Sequence, residues 1–459
     1  MDRENGDRSP GRRFTRSDPR ESKEVRINDE VFTRPPGPFD AGEPPARSGV
    51  RPRRVEDLAI FTGSPAFSRP LHVGTPNLGD RKRLVERIED ILDRRWFTND
   101  GVYVREFERR VADLLGVKHV VAMCNGTIAL EITIRAIGLE GEVIVPSNTF
   151  VATAHALQWQ QIKPVFADID PRTHNLDPAR IEALITPKTT GILAVHLWGR
   201  GADVEGLEAV ARRRGLALVF DAAHAFACSW RGRMIGGFGR AECFSFHATK
   251  FCSSFEGGAV TTNNGDLAEK MRLMRNFGFK GLDDVGYIGS NGKMSEVAAA
   301  MGLTSLESRE AFIAASRANY RLYRELLGRI PGLTVLEYDE AERNNYHYIV
   351  VEVDAARTGL ERDLLVRMLR AENVLARRYF YPGAHRMEPY RSHQPQAGLV
   401  LPVTEQVLAR VMQLPTGTAI GEAEVRGIAS IIALCCAHGR ELASRLSDGP
   451  TAPEQGTLR

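Results

Sequence analysis

At 459 residues and 43% hydrophobic content the chain can bury the cores of two domains, which excludes a small fold stapled by disulfides or metal. The formal charge of +3 is local: residues 1–54 hold 13 Lys plus Arg against 10 Asp plus Glu, so everything downstream is balanced and no broad nucleic-acid face is indicated. Six cysteines (Cys124, Cys228, Cys243, Cys252, Cys435, Cys436) lie in apolar runs with neither a CxxC pair nor a histidine at ligand spacing, so reduced thiols in the cytoplasm are expected and no metal site is.

In chain order, residues 1–65 read as a leader. Residues 1–54 hold 8 of the 24 prolines and few large apolar side chains, too little to offset the entropy of ordering them. "RPRR" at 51–54 is compatible with a nucleic-acid arm, but the interspersed acids and missing aromatics favour a solvated segment. "KRLVERIEDIL" then sets Leu84, Ile88, Ile91 and Leu92 on one helical face. The runs 119–124, 142–147, 163–169, 191–197 and 216–223 are short, apolar on both faces and mostly separated by helical segments. That pattern predicts a mainly parallel sheet covered on both sides, with functional residues at the carboxyl ends of its strands. A periodic stretch from about Met294 to Leu327 predicts a long helix leaving this domain. It is followed by an apolar run at 346–353, a helix near 361–371 and another apolar run at 373–381, a second and smaller α/β unit. The resulting division is a large domain over 66–310, a small C-terminal domain over 311–445 and a loose tail over 446–459. No apolar stretch is long enough to span a bilayer, and the first residues lack the apolar segment of a secretory signal.

Three positions carry chemistry. Lys250 stands in "CFSFHATKFCSSFEGGAV" with Phe244, Phe246, Phe251 and Phe255 around it, so desolvation should lower its pKa and free the amine as a nucleophile. Asp221 ends the apolar run "LALVFD", where a carboxylate must be paired or costly. "HVVAMC" runs into Asn125-Gly126-Thr127 and a helical pattern, which presents free amides and a hydroxyl to an anion that Ser245 also reaches. Taken singly, each has an ordinary structural explanation: a turn or N-cap for Asp221, a plain helix start at Asn125, a snorkelling Lys250, and packing or capping for Phe150, His224 and Asn291. Taken together along an alternating α/β chain, an amine, a buried carboxylate and a phosphate cradle describe pyridoxal 5'-phosphate. "GGFGR" at 236–240 follows no suitable strand and is not a dinucleotide fingerprint.

Over roughly residues 66–445 the chain resembles the DegT/DnrJ/EryC1/StrS family of sugar aminotransferases, in the motifs "CNGTIAL", "VPSNTFVATAHAL", "DIDPRTHNLDP", "VHLWGR", "DAAHA", "SFHATK" with "FEGGAV", and "SNGKMSEVAAAMG". The resemblance implies a fold-type I pyridoxal-phosphate aminotransferase with a mainly parallel seven-stranded sheet in its large domain. It makes Lys250 the Schiff-base lysine and Asp221 the partner of the pyridinium nitrogen. Gly126, Thr127 and Ser245 would hold the phosphate, Phe150 would stack on the ring, and His224 would sit near the ring hydroxyl. Asn291 would reach the phosphate of the neighbouring subunit's cofactor, which implies a homodimer with shared active sites. Lys293 stands where many members have Arg, and the Cys252-Ser253 loop varies in the family; neither departure removes a catalytic group.

The implied reaction has two stages, from an amino donor, expected to be glutamate, to the cofactor and then to a keto acceptor. Lysine rather than histidine at 250 argues against the dehydratase branch. The stretches 96–108 and 373–390 resemble members that act at carbon 4 of nucleotide-linked 4-keto-6-deoxysugars in deoxyaminosugar and antibiotic biosynthesis. Tyr381 and His385 are candidate contacts to that substrate, while Arg377 and Arg378 read equally well as a solvated strand edge. A 3-keto sugar or cyclitol acceptor, and a non-catalytic regulatory protein that keeps the cofactor, remain the alternatives. Neither nucleic acid nor membrane is an expected partner.

Overall fold

A computed structural model describes residues 52–447. The expected disorder of residues 1–51 and the last residues of the tail lie outside the described part.

The apolar runs form a seven-stranded sheet of β1 (His119–Met123), β2 (Glu142–Pro146), β3 (Lys163–Ala167), β4 (Thr189–Val195), β5 (Ala217–Asp221), β6 (Ala241–Ser245) and β7 (Gly258–Thr262). Its order is β1-β7-β6-β5-β4-β2-β3, with β7 antiparallel to both neighbours and every other pair parallel. Alternate residues serve opposite cores, which is why consecutive positions in the strand middles are apolar rather than every second one. Val120, Ala122, Leu218 and Phe220 join a core with Phe107, Val111, Leu207 and Val210, whereas Val121, Met123 and Val219 face Leu130, Ile134 and Met271.

Three helices matter for the site: α1 (Gly126–Ile137), α2 (Ala152–Gln158) and α3 (Glu296–Leu327). Helix α3 is 32 residues long and belongs to two cores. Ala299, Leu303, Leu306 and Phe312 pack in the large one, while Tyr320, Tyr323 and Leu327 pack in the small one. The small core covers an antiparallel sheet of β8 (Leu333–Val335), β9 (Ile349–Val353) and β10 (Val411–Leu414). No helix among the described residues is long and apolar enough to cross a membrane.

Three sequence expectations are corrected. The leader does not extend to residue 65: Val55 and Leu58 are buried in the small core, and the buried Glu372 carboxylate accepts the backbone amides of Ala59 at 2.6 Å and Ala66 at 2.8 Å. The proline-rich composition covers only residues 1–54, and the apolar segment that follows, residues 55–61, contains no proline. The run at 373–381 gives only a two-residue strand, Val374–Leu375, parallel to Leu71–His72. In the helix Arg81–Arg94, Leu84 and Ile91 are buried but Leu92 is 58% exposed, because it has turned past the edge of the packed face.

Candidate active site

The functional candidates gather where β1, β5 and β6 end. At the end of β1, Asn125 caps α1 by accepting the Ile128 amide at 2.8 Å. That leaves the amides of Gly126 and Thr127 without a protein partner among the described residues. Close approach requires glycine here, since a Cβ on residue 126 would sit 2.9 Å from the Ser245 Cβ. Two open helix-start amides therefore lie beside Ser245, an arrangement that could hold an anion, with the Thr127 hydroxyl next along the chain.

Asp221 ends β5 and is 6% exposed. Its Oδ2 accepts the Thr153 hydroxyl at 2.8 Å and its Oδ1 the Ala223 amide at 3.0 Å, while Thr153 is bonded to Thr149 at 2.9 Å. Burial pushes its pKa up, opposed by the Thr153 and Ala223 hydrogen bonds and by the charge of Lys250. The carboxylate is thus oriented at both oxygens and short of positive charge.

Lys250 supplies part of that charge. Desolvation pushes its pKa down to about 8, opposed by Asp221. Of the four phenylalanines near it in sequence, Phe244, Phe246 and Phe251 are buried and Phe255 is 46% exposed. The polar groups whose charges couple to it include Asp221, His224 and His347.

His224 is buried and accepts the Trp198 amide at Nδ1 (3.3 Å), which leaves the N–H of the neutral ring at Nε2. Burial, then Lys250 and His347, hold its pKa well below the usual histidine range. Its ring stacks with Trp198 and Phe380 at 5.7 and 5.8 Å, and Phe380 in turn lies 6.3 Å from Phe150. Phe150 is 53% exposed, which leaves aromatic area free to cover a planar ligand.

The remaining candidates differ. Asn291 is exposed and pairs through its backbone with Asn276, with its carbonyl 4.0 Å from Cys124 Sγ at the end of β1. Tyr381 is partly exposed beneath the guanidinium groups of Arg378 and Arg362, at 4.9 and 5.1 Å from the ring. His385 does not fit a direct substrate contact. It is 2% exposed, with Nδ1 bonded to Ser147 Oγ at 2.6 Å and Nε2 to Glu405 at 2.7 Å, so both nitrogens are engaged. It fastens the 380–386 segment to the end of β2.

Sequence reasoning did not single out Thr153, Trp198, Phe380 or Tyr348, whose ring lies 4.5 Å from that of His224. Thr153 carried a weak signal, four residues after Thr149 at a helix start; Trp198 and Phe380 stand inside "VHLWGR" and the stretch 373–390, where nothing local says which residue meets His224. A buried, doubly bonded carboxylate beside an amine, an open amide cradle and an uncovered aromatic face fit a planar phosphorylated pyridine.

The family model for the DegT/DnrJ/EryC1/StrS aminotransferase family matches residues 79–433. The dTDP-4-amino-4,6-dideoxy-D-glucose transaminase of Shigella dysenteriae is 38% identical over 318 residues, 69% of this chain and 86% of that protein. GDP-perosamine synthase of Caulobacter vibrioides is 34% identical over 362 residues, covering 77% and 95% of the two chains. The crystal structure of DesI, determined in the presence of its TDP-sugar product, superposes with a TM-score of 0.83 at 52% identity, over 86% of this chain and all of DesI (100%).

Proposed function

Because the chain belongs to the DegT/DnrJ/EryC1/StrS aminotransferase family, we propose that it moves an amino group from glutamate to a nucleotide-linked 4-keto-6-deoxyhexose, in deoxyaminosugar biosynthesis. The observation that carries the chemistry is Asp221, buried and bonded at both oxygens, beside a Lys250 whose pKa is pushed down to about 8. The sugar class is supported by relatives named for dideoxyglucose and perosamine products and by the DesI structure.

Pyridoxal phosphate is the family's cofactor, and when bound it supplies an electron sink that stores the amino group between the two half-reactions. Asp221 would hold a proton on the ring nitrogen, its orientation set by Thr153 and Ala223. Gly126, Thr127 and Ser245 would bind the phosphate, Phe150 would cover one ring face, and the Nε2–H of His224 would be available to the ring hydroxyl. Lys250 would hold the cofactor at rest and, once released, carry a proton as general base and then acid. A pKa of about 8 leaves a useful neutral fraction near neutral pH.

Phe277, Phe279, Leu282, Val285 and Ile288 are exposed apolar side chains just before Asn291, with Leu282 95% exposed. They support a homodimer in which Asn291 completes the neighbouring site. Six unpaired cysteines support a cytoplasmic location.

The test is to incubate the protein with glutamate and matched 4-keto, 3-keto and cyclitol ketones, and to locate the new amine by NMR. An amine at carbon 4 of the nucleotide sugar is expected; exclusive amination of a 3-keto sugar or a cyclitol would overturn the acceptor.

A further inference from the structure

The backbone that carries Lys250 is held from outside the large core. Thr249, just before it, has its carbonyl bonded to His347 Nε2 at 2.9 Å. Phe251, just after it, has its carbonyl bonded to Asn77 Nδ2 at 3.1 Å. Neither group belongs to the sheet. His347 immediately precedes Tyr348 and β9 of the small sheet, and Asn77 lies in the irregular segment after Leu71–His72.

Both holders are themselves fixed. The Asn77 Oδ1 accepts the amide and the hydroxyl of Thr418, each at 3.0 Å, and the side chain is 1% exposed. The His347 amide donates to Asn345 Oδ1 at 3.1 Å, while Asn345 Nδ2 donates to the carbonyls of His224 and Phe226 at 3.0 and 3.2 Å. One short loop therefore ties the lysine segment to the turn that carries His224. The segment containing Asn77 passes close by: a Cβ on Gly74 would lie 3.1 Å from the Thr249 Cβ, and φ at Gly74 is +78°.

The tautomer follows from the partner. A carbonyl only accepts, so His347 carries its proton at Nε2 and leaves Nδ1 as a lone pair; that atom is buried with no hydrogen-bond partner among the described residues. Desolvation, opposed by the Thr249 bond and reinforced by Lys250, pushes the ring's pKa down to about 4, so it adds no positive charge beside the lysine near neutral pH.

We propose that His347 and Asn77 are positioning residues that clamp the carbonyls on either side of Lys250, fixing where its amine emerges and linking it to the small sheet and the N-terminal segment. This rests on Lys250 being the cofactor lysine. Two held carbonyls bracket the residue and restrict rotation of its backbone, so a lost clamp should slow the proton steps more than it weakens binding of the amino donor.

The experiment compares full-length His347→Leu, His347→Gln and Asn77→Asp holoproteins with wild type. Leu removes the donor at similar volume, Gln keeps an N–H at the corresponding position, and Asp turns the donor opposite the Phe251 carbonyl into an acceptor. In His347→Leu and Asn77→Asp we expect hydrogen exchange of amides 247–254 to accelerate about tenfold and kcat to fall about tenfold, with KM for glutamate within about twofold. His347→Gln should recover most of both effects. Wild-type exchange over 247–254, or wild-type kcat, in either folded donor-loss variant overturns the proposal. So does failure of Gln to improve on Leu. If Leu does not fold, Gln and Asn77→Asp decide: Gln should stay near wild type and Asp should not, and the reverse overturns it. Borohydride reduction and peptide mapping of the same proteins separate the two readings. Cofactor trapped on another lysine overturns the Lys250 assignment, whereas trapping on Lys250 with unmoved exchange overturns the clamp alone.

Discussion

Replacing Lys250 by Met should make the cofactor-free protein more stable near neutral pH and should abolish turnover. The amine has a pKa of about 8 in the folded protein against 10.5 for an ordinary lysine, with desolvation as the main cause. The unfolded chain therefore binds a proton more tightly than the folded one, so folding is penalised in full below pH 8, less between 8 and 10.5, and not above 10.5. The difference of about 2.5 pK corresponds to roughly 3 kcal/mol, an upper figure because Met also leaves Asp221 without a neighbouring cation. Urea unfolding of the two cofactor-free proteins, at matched concentration and at about pH 7 and about pH 10, reads the effect as a difference of differences. The variant should lead by about 1–3 kcal/mol near pH 7, with the lead shrinking as pH rises. A lead that grows with pH, or none at pH 7, would falsify the claim that burial depresses this amine.

Asp221→Ala should cut turnover by about 10²–10³-fold while the protein stays folded by circular dichroism, since the carboxylate serves charge rather than packing; turnover close to wild type would remove it from the reaction. Deleting residues 1–51 should leave melting temperature and activity unchanged. Deleting through Ala66 should cost on the order of 3–5 kcal/mol, because Glu372, 1% exposed, then loses both amide partners; equal melting of the two truncations would refute the packing described for Val55–Ala66. Mixed dimers of Asn291→Ala and Lys250→Ala chains should regain activity if Asn291 works across the interface, and no regain after verified subunit exchange would count against a shared site.

How much was legible in the sequence depended on range. Five of the seven strands announced themselves because their middles are apolar on both faces, as a sheet covered on both sides demands, and Asp221 stood out as the charge that ends such a run. Lys250 was found by its phenylalanine neighbours, yet its electrostatic surroundings are Asp221, His224 and His347, the last 97 positions away along the chain. His385 looked like a free polar group beside tyrosines and arginines. Its engagement with Ser147 spans 238 residues, a separation no local pattern reports. Leu92 failed for a simpler reason: a helical face is wider in projection than the strip a neighbouring helix covers.

The bond between Ala59 and Glu372 spans 313 positions. At a synthesis rate of about 5–20 residues per second, the apolar segment around Val55 and Leu58 waits roughly 15–60 s for its carboxylate partner to be made. During that interval the nascent chain displays a sticky N-terminal stretch with nowhere to dock, while the parallel sheet between the two partners is already being translated. Completion of the small core therefore waits until late in synthesis, when most of the chain has been made. A chaperone that shields the emerging N-terminal segment would raise the yield of native protein without touching the active site.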